Sequence, residues 1–148
     1  MQDKRGPDLL VRGFEEADTE AVVRLWTEVG LVRAWNDPRK DIRRKLAVQR
    51  ELFLVGAVDG EVVATVMAGY DGHRGWVNYL AVADKHRKRG YARLLMERVE
   101  ALLRDMGCPK LNMQVRASNK AVLALYERLG YGIDETVSLG KRLIPDQT

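Results

Sequence analysis

Cysteine is nearly missing from this chain of 148 residues: Cys108 stands alone. No disulfide can form within one chain, so the fold has to rest on an apolar core, and a reducing compartment is expected. Histidine is almost as scarce. His73 and His86 stand at no metal-ligand spacing with each other or with Cys108, so no metal site is expected. Four prolines and no Pro/Gly/Ser-rich stretch leave the chain without a linker, and no internal repeat is found. No apolar run approaches the ~20 residues of a membrane helix. The opening "MQDKRGPD" is polar with no apolar stretch behind it, so neither a signal peptide nor membrane association is expected. Charge of one sign is also lacking. Lys and Arg number 25 against 21 Asp and Glu, and the net +4 favours anionic partners without naming one. Aromatic residues make up 7%, and no aromatic-rich strand stands beside the basic residues to stack bases. Nucleic-acid binding is therefore not expected, and a cytoplasmic location is.

What is present fits one core. Residues 1–7 read as a disordered lead-in and residues 8–148 as a single domain. "LLVRGF" reads as a strand. "EEADTEAVVRLWTEVG" reads as a helix with Asp18 as N-cap, and a second helix starts near Pro38. "LFLVGAV" and "EVVATVMAGY" are strands joined by a "DG" hairpin signal, and "WVNYLAV" is the next strand. Ala92, Leu95, Met96, Val99, Leu102, Leu103 and Met106 keep a helical period that Gly107 ends. "KLNMQV" is a strand, "NKAVLALYERLG" a helix opening at Asn119, and "ETVSLGKRL" a last strand. The pattern predicts an α/β fold: a mixed, mostly antiparallel sheet flanked by about four helices. The strand–helix–strand unit near 76–115 implies one parallel pair.

The stretch "HRKRGYARLL", from His86 to Leu95, joins a strand to a helix. A helix's first turn has free backbone N–H groups and a partial positive charge. Gly90 and Ala92 let an anion approach that backbone, and Arg87 and Arg89 add charge-assisted donors. Together they suit a pyrophosphate. The spacing is neither G-x-x-x-x-G-K-[ST] nor G-x-G-x-x-G. A solvated, well-capped helix start is the other reading of these ten residues alone. A second cluster lies in "NKAVLALYERLGY". Asn119 and Tyr126, seven residues apart, return to nearly one azimuth, with Val122, Leu125 and Leu129 on the same side. The tyrosine can keep its ring in the core and its hydroxyl at an edge.

These two segments resemble motifs of the GCN5-related N-acetyltransferases. Arg87, Gly90 and Ala92 are similar to that family's R-x-x-G-x-G/A turn. The run from Asn119 to Tyr131 is similar to its N-x-x-V-x-x-x-Y-x-x-x-G-Y segment, and "VRGFEEADTEAVVRL" to its opening strand and helix. The likeness spans about residues 9–143. "WNDP", "FLVGAVDGEVVATVMAGYDGHRG" and "SLGKRLI" further resemble the small bacterial YpeA-like members.

The resemblance implies transfer of acetyl from acetyl-CoA to an amine by direct attack, with no metal. It assigns the CoA pyrophosphate to Arg87, Lys88, Arg89, Gly90, Tyr91 and Ala92, and the pantetheine arm to the strand edge at Leu80, Ala81 and Val82. Asn119 matches a contact to that arm. Tyr126 matches the general acid that protonates the departing thiolate. A phenol, with a reference pKa of about 10, is protonated at pH 7 and can do so. A backbone N–H near Leu80 is a candidate for stabilising the oxyanion. The glutamate that some members carry on the strand before the turn has no counterpart in "WVNYLAV". Asp71, His73 and Tyr79 are the candidates for the missing base. Trp35 and Asp37, between the first two helices, are candidates for the acceptor side, and Asn36 and Asp37 can equally cap the helix at Pro38. Cys108 reads as a small residue at a loop edge. The expected partner is a small-molecule or protein amine, and the chain is a monomer or a homodimer joined through an exposed strand at 136–143. The alternative is a non-catalytic acyl-CoA-binding or regulatory module on the same fold.

Overall fold

The computed structural model describes residues 8–147; the expected lead-in at 1–7 lies outside them. The order is β1 (Leu10–Gly13), α1 (Thr19–Glu28), α2 (Pro38–Leu46), β2 (Phe53–Val58), β3 (Glu61–Tyr70), β4 (Gly75–Val82), α3 (Tyr91–Asp105), β5 (Leu111–Met113) and α4 (Lys120–Arg128). The five strands form one sheet in sequence order. β1 to β4 pair antiparallel and β4 pairs parallel with β5. The β2–β3 turn places Asp59 at φ 51° and Gly60 at φ 82°, the two left-handed residues that a tight hairpin requires.

Alternation along the strands feeds two cores. Phe53 and Val55 of β2 face one side, where Trp26, Val22 and Leu25 of α1 and Ile42 of α2 cover them. Leu54, Val66 and Val77 face the other side, under Leu95, Met96, Val99 and Leu103 of α3, and Tyr126 of α4 joins them. Each fully buried side chain of this kind contributes about 1.5–3 kcal/mol of burial. Thr65, fully buried between the layers, accepts from Trp26 Nε1 at 2.8 Å and donates to the Tyr79 carbonyl at 2.9 Å. That chain ties α1 to the middle of β4.

The single-domain α/β sheet with four helices is the expected fold, with two differences. Asp18 does not cap α1 through its side chain. Its carboxylate accepts from both terminal nitrogens of Arg12, at 2.8 and 3.0 Å, and from the Glu15 N–H. The strand expected at 136–143 is not formed: among the described residues no strand follows β5. Side chains, not a backbone ladder, hold that segment beside β5. Lys110 and Asn112 bond Asp134, and Gln114 bonds Ser138. Asp146 then fastens the end of the segment to α2 through Arg44.

Candidate active site

The sheet opens along β4. Only Gly75, Trp76 and Val77 pair with β5, opposite Leu111, Asn112 and Met113. From Asn78 to Val82 β4 has no ladder partner on that side among the described residues, an open edge about 16 Å long at ~3.3 Å per residue. A bulge re-aims the strand within this stretch. Thr65 pairs with Ala81 and Met67 with Asn78, so Tyr79 and Leu80 together oppose Val66, and Tyr79 takes φ 53°. Backbone groups on an unpaired edge can accept an extended ligand arm as another strand would.

The open edge leads to the glycine turn. Arg87 N–H donates to Asp84 and Leu94 N–H to Gly90; between them, the N–H groups of residues 88–93 make no backbone hydrogen bond among the described residues. Lys88 at φ 64° and Gly90 at φ 80° are both left-handed, a conformation found in anion-binding nests. A Cβ at Gly90 would meet nothing within 4 Å, so the glycine answers a backbone demand and the space above it is free. α3 has no acidic residue in its first turn. Lys88 and Arg89 are exposed and make no ion pair among the described residues. Arg87 differs from expectation: its guanidinium turns back to Asp84 at 3.1 Å and to the Val82 carbonyl at 3.4 Å. Tyr91 is buried, so it offers the turn only its N–H, and Ala92 is half-buried. His86 Nδ1 is buried without a partner, and burial with Arg89 and Lys85 nearby holds the imidazole below its usual pKa.

On α4 the Asn119 oxygen accepts the Val122 N–H at 3.2 Å, leaving its amide NH2 for other partners. Tyr126 is 8% exposed, in the core cluster that Leu80 and Val82 also touch, with its ring edge-on to Tyr131. Burial alone pushes its phenol up to about 12, and no hydrogen bond contributes. The group is a neutral donor across the physiological range.

A network of side chains joins β4 to the α1–α2 loop, α2 and the chain end. Trp35 is 54% exposed, and the Arg116 guanidinium, which follows β5, lies 5.8 Å over its ring. Asp37 caps α2 by accepting the Arg39 N–H at 2.9 Å. Tyr79 stacks on Trp26 with centroids 3.7 Å apart and donates to Asp41 Oδ2 at 2.6 Å. Burial, then Asp41, raises the Tyr79 phenol above its usual pKa. Asn36 donates to the same oxygen, and Arg44 holds Asp41 Oδ1 at 3.1 Å. Arg44 also binds Asp146, whose carboxylate is fully covered and accepts the Asp37 N–H at 2.7 Å. Arg142 donates to Asn36 Oδ1 at 2.6 Å.

Asp71 and His73 lie at the opposite end of β4 from the glycine turn. Asp71 accepts from His73 N, Arg74 N and Trp76 Nε1, which closes the β3–β4 turn and lowers its pKa; His73 is exposed. Of the base candidates, Tyr79 alone stands beside the open edge. Cys108 donates to Lys110 O at 3.4 Å, away from it. Among the described residues, no group of three or more His, Cys, Asp or Glu could hold a metal ion, and no helix is long and apolar enough to cross a membrane. Sequence reading passed over Asp41, Arg44, Arg116 and Asp146. Asp41 reads as an ordinary acid in a helix's first turn, and the others are joined to the site only by folding.

The arrangement is an unpaired stretch of β4 that runs into a turn whose N–H groups at residues 88–93 make no backbone hydrogen bond among the described residues. The sequence pattern of the acetyltransferase (GNAT) family matches residues 16–131. The chain is 51% identical, over 137 residues, to "Acetyltransferase YE1169" of Yersinia enterocolitica, covering 93% of this chain and 97% of that one. In fold it is similar to Ard1 from Thermoplasma volcanium, with a TM-score of 0.76 at 22% identity over 86% of this chain and 85% of that one. The TM-score is also 0.76 with AAC(6')-Iy in complex with a bisubstrate analog, CoA-S-monomethyl-acetylneamine, at 16% identity over 92% of this chain and 99% of that one. The family match and the Yersinia relative together place this chain in the GNAT family of acetyltransferases, and it is an acyltransferase enzyme.

Proposed function

We propose that the protein moves an acetyl group from acetyl-CoA to a primary amine by direct attack. The observation that carries this reading is the open edge of β4 running into the unbonded N–H groups of residues 88–93. The row of N–H groups fits a pyrophosphate, with Lys88 and Arg89 adding charge. The edge at Leu80, Ala81 and Val82 fits the amide-bearing pantetheine arm, and the Asn119 amide can donate to it. The likeness to a protein solved with a CoA-linked bisubstrate analog supports the same placement.

Attack by the amine puts negative charge on the carbonyl oxygen, and the Leu80 N–H at the bulge is the donor nearest in sequence to receive it. Collapse of the tetrahedral adduct expels a thiolate. Tyr126, neutral because burial pushes its phenol up to about 12, protonates that sulfur. Tyr79, at the bulge of β4, is the base candidate. Trp35 and Asp37 stand on the acceptor side, where a small-molecule or protein amine enters. The test is calorimetric titration with acetyl-CoA, followed by thiol release from acetyl-CoA in the presence of candidate amines. Micromolar binding that Tyr126→Phe leaves intact, with a large loss of thiol release, supports the assignment. No binding at millimolar acetyl-CoA by the folded protein overturns it.

A further inference from the structure

We propose that Asp41 is the terminal proton acceptor of the reaction and works through Tyr79: a two-residue relay from β4 to α2 supplies the base that no strand carboxylate provides. This rests on the acetyl-transfer reading above. The geometry comes from the Tyr79 hydroxyl, which donates to Asp41 Oδ2 at 2.6 Å. Tyr79 sits at the bulge, next to Leu80, on the part of β4 that β5 leaves open. Its oxygen retains lone pairs to accept a hydrogen bond while its proton faces Asp41.

The surroundings fix the pair. Stacking of Tyr79 on Trp26 sets the ring plane, and Thr65 holds the Tyr79 carbonyl. Asn36, from the α1–α2 loop, donates to Asp41 Oδ2, and Arg44, on α2, holds Oδ1. Behind Arg44 lies the covered Asp146 of the chain end, itself bound by Arg44, Arg142 and the Asp37 N–H, with Lys40 on its carbonyl. Asp41 is 22% exposed, which leaves a route to solvent. The fixed orientation suits proton transfer at hydrogen-bond distance.

The balance is as follows. The amine nitrogen bonds to the acetyl carbonyl carbon and becomes positive and acidic. Its N–H bond breaks as that proton passes to the Tyr79 oxygen. The Tyr79 O–H bond breaks as its proton passes to Asp41 Oδ2. Tyr79 ends neutral, Asp41 ends protonated, and Asp41 then releases the proton to water. Tyr126 separately gives its proton to the thiolate. Tyr79 is the catalytic residue of this step, and Asp41 is a positioning residue that also stores the proton.

The test uses the whole chain, with Asp41→Asn and Tyr79→Phe. The acceptor probe is hydroxylamine, a small amine uncharged at pH 7, with acetyl-CoA as donor and free thiol as readout. Asp41→Asn keeps the shape and the Arg44 contact geometry. It is expected to lower kcat about 100-fold, in line with general-base contributions, and to leave acetyl-CoA affinity by calorimetry within about two-fold. Carbon-13 NMR of ring-labelled tyrosine gives a readout that needs no acceptor: removing the carboxylate should bring the Tyr79 titration down in pH. A Tyr79 titration unchanged by Asp41→Asn overturns the relay. So does a shifted titration with unchanged kcat, since the pair is then structural. A protein that fails to bind acetyl-CoA but keeps the Tyr79 shift separates failure of the underlying reading from failure of the pair.

Discussion

The two walls of the proposed site are built from different materials. The proposed donor wall, the glycine turn and the β4 edge, is backbone: left-handed Lys88 and Gly90, the N–H groups of residues 88–93 without backbone partners among the described residues, and an unpaired strand edge. The proposed acceptor wall is side chain: Tyr79, Asp41, Asn36, Arg44, Arg142 and Asp146, drawn from β4, α2, a loop and the chain end. A backbone site tolerates changes of neighbouring side chains as long as the φ angles survive. A side-chain network is sensitive to loss of any one member, because its partners are left half-buried and unpaired.

Substitutions can break this contrast in order of size. Tyr126→Phe, which removes the proposed thiolate donor, is expected to reduce kcat by about 100-fold or more with acetyl-CoA affinity unchanged. Steady-state kinetics beside calorimetry would check it. Gly90→Val forces a β-branched residue to φ 80°, a strain of about 1–2 kcal/mol. It should weaken acetyl-CoA binding at least ten-fold, whereas Asp41→Asn should leave that binding alone. Arg87→Glu should weaken binding only a few-fold, because the wild-type guanidinium is already turned toward Asp84.

The acceptor wall also carries the pH signature. Asp146 is held near a pKa of about 2, chiefly by Arg44 and then by the Asp37 N–H. Its unfolded value is about 3.9, so the folded value is depressed. The attachment of the chain end is then complete above that value and is lost as pH falls from about 4 toward 2. Limited proteolysis with an acid-active protease should begin cutting residues 132–145 in that window. Asp146→Asn should bring the same cutting to neutral pH with acetyl-CoA binding intact.

The same contrast accounts for what could be read before folding. Gly90 after a basic run, Ala92 two residues on and the helical period of α3 locate the donor wall, because left-handed turns and helix starts leave local marks. Asn119 and Tyr126 lie on one helix, and their spacing survives without tertiary information. The strand–helix order and the parallel β4–β5 pair follow from the same local signals. Asp41 leaves no mark, since an acid in a helix's first turn is ordinary; its contact with Tyr79 joins positions 38 apart and exists only in the folded chain. Asp71 is a carboxylate next to β4 in sequence, but the turn's own N–H groups occupy it. The missing strand at 136–143 has a related cause. Its pattern is extended, yet Asp134 and Ser138 bond side chains in and beside β5 where a ladder would need backbone, and Pro145 near its end has no N–H to donate.

The most direct test is one calorimetric series with acetyl-CoA on wild type, Gly90→Val and Asp41→Asn, each confirmed as folded. Micromolar binding in wild type and Asp41→Asn, with a loss of ten-fold or more in Gly90→Val, is the predicted result. Equal affinity in all three, or no heat from wild type at millimolar acetyl-CoA, would contradict a donor site built from this backbone.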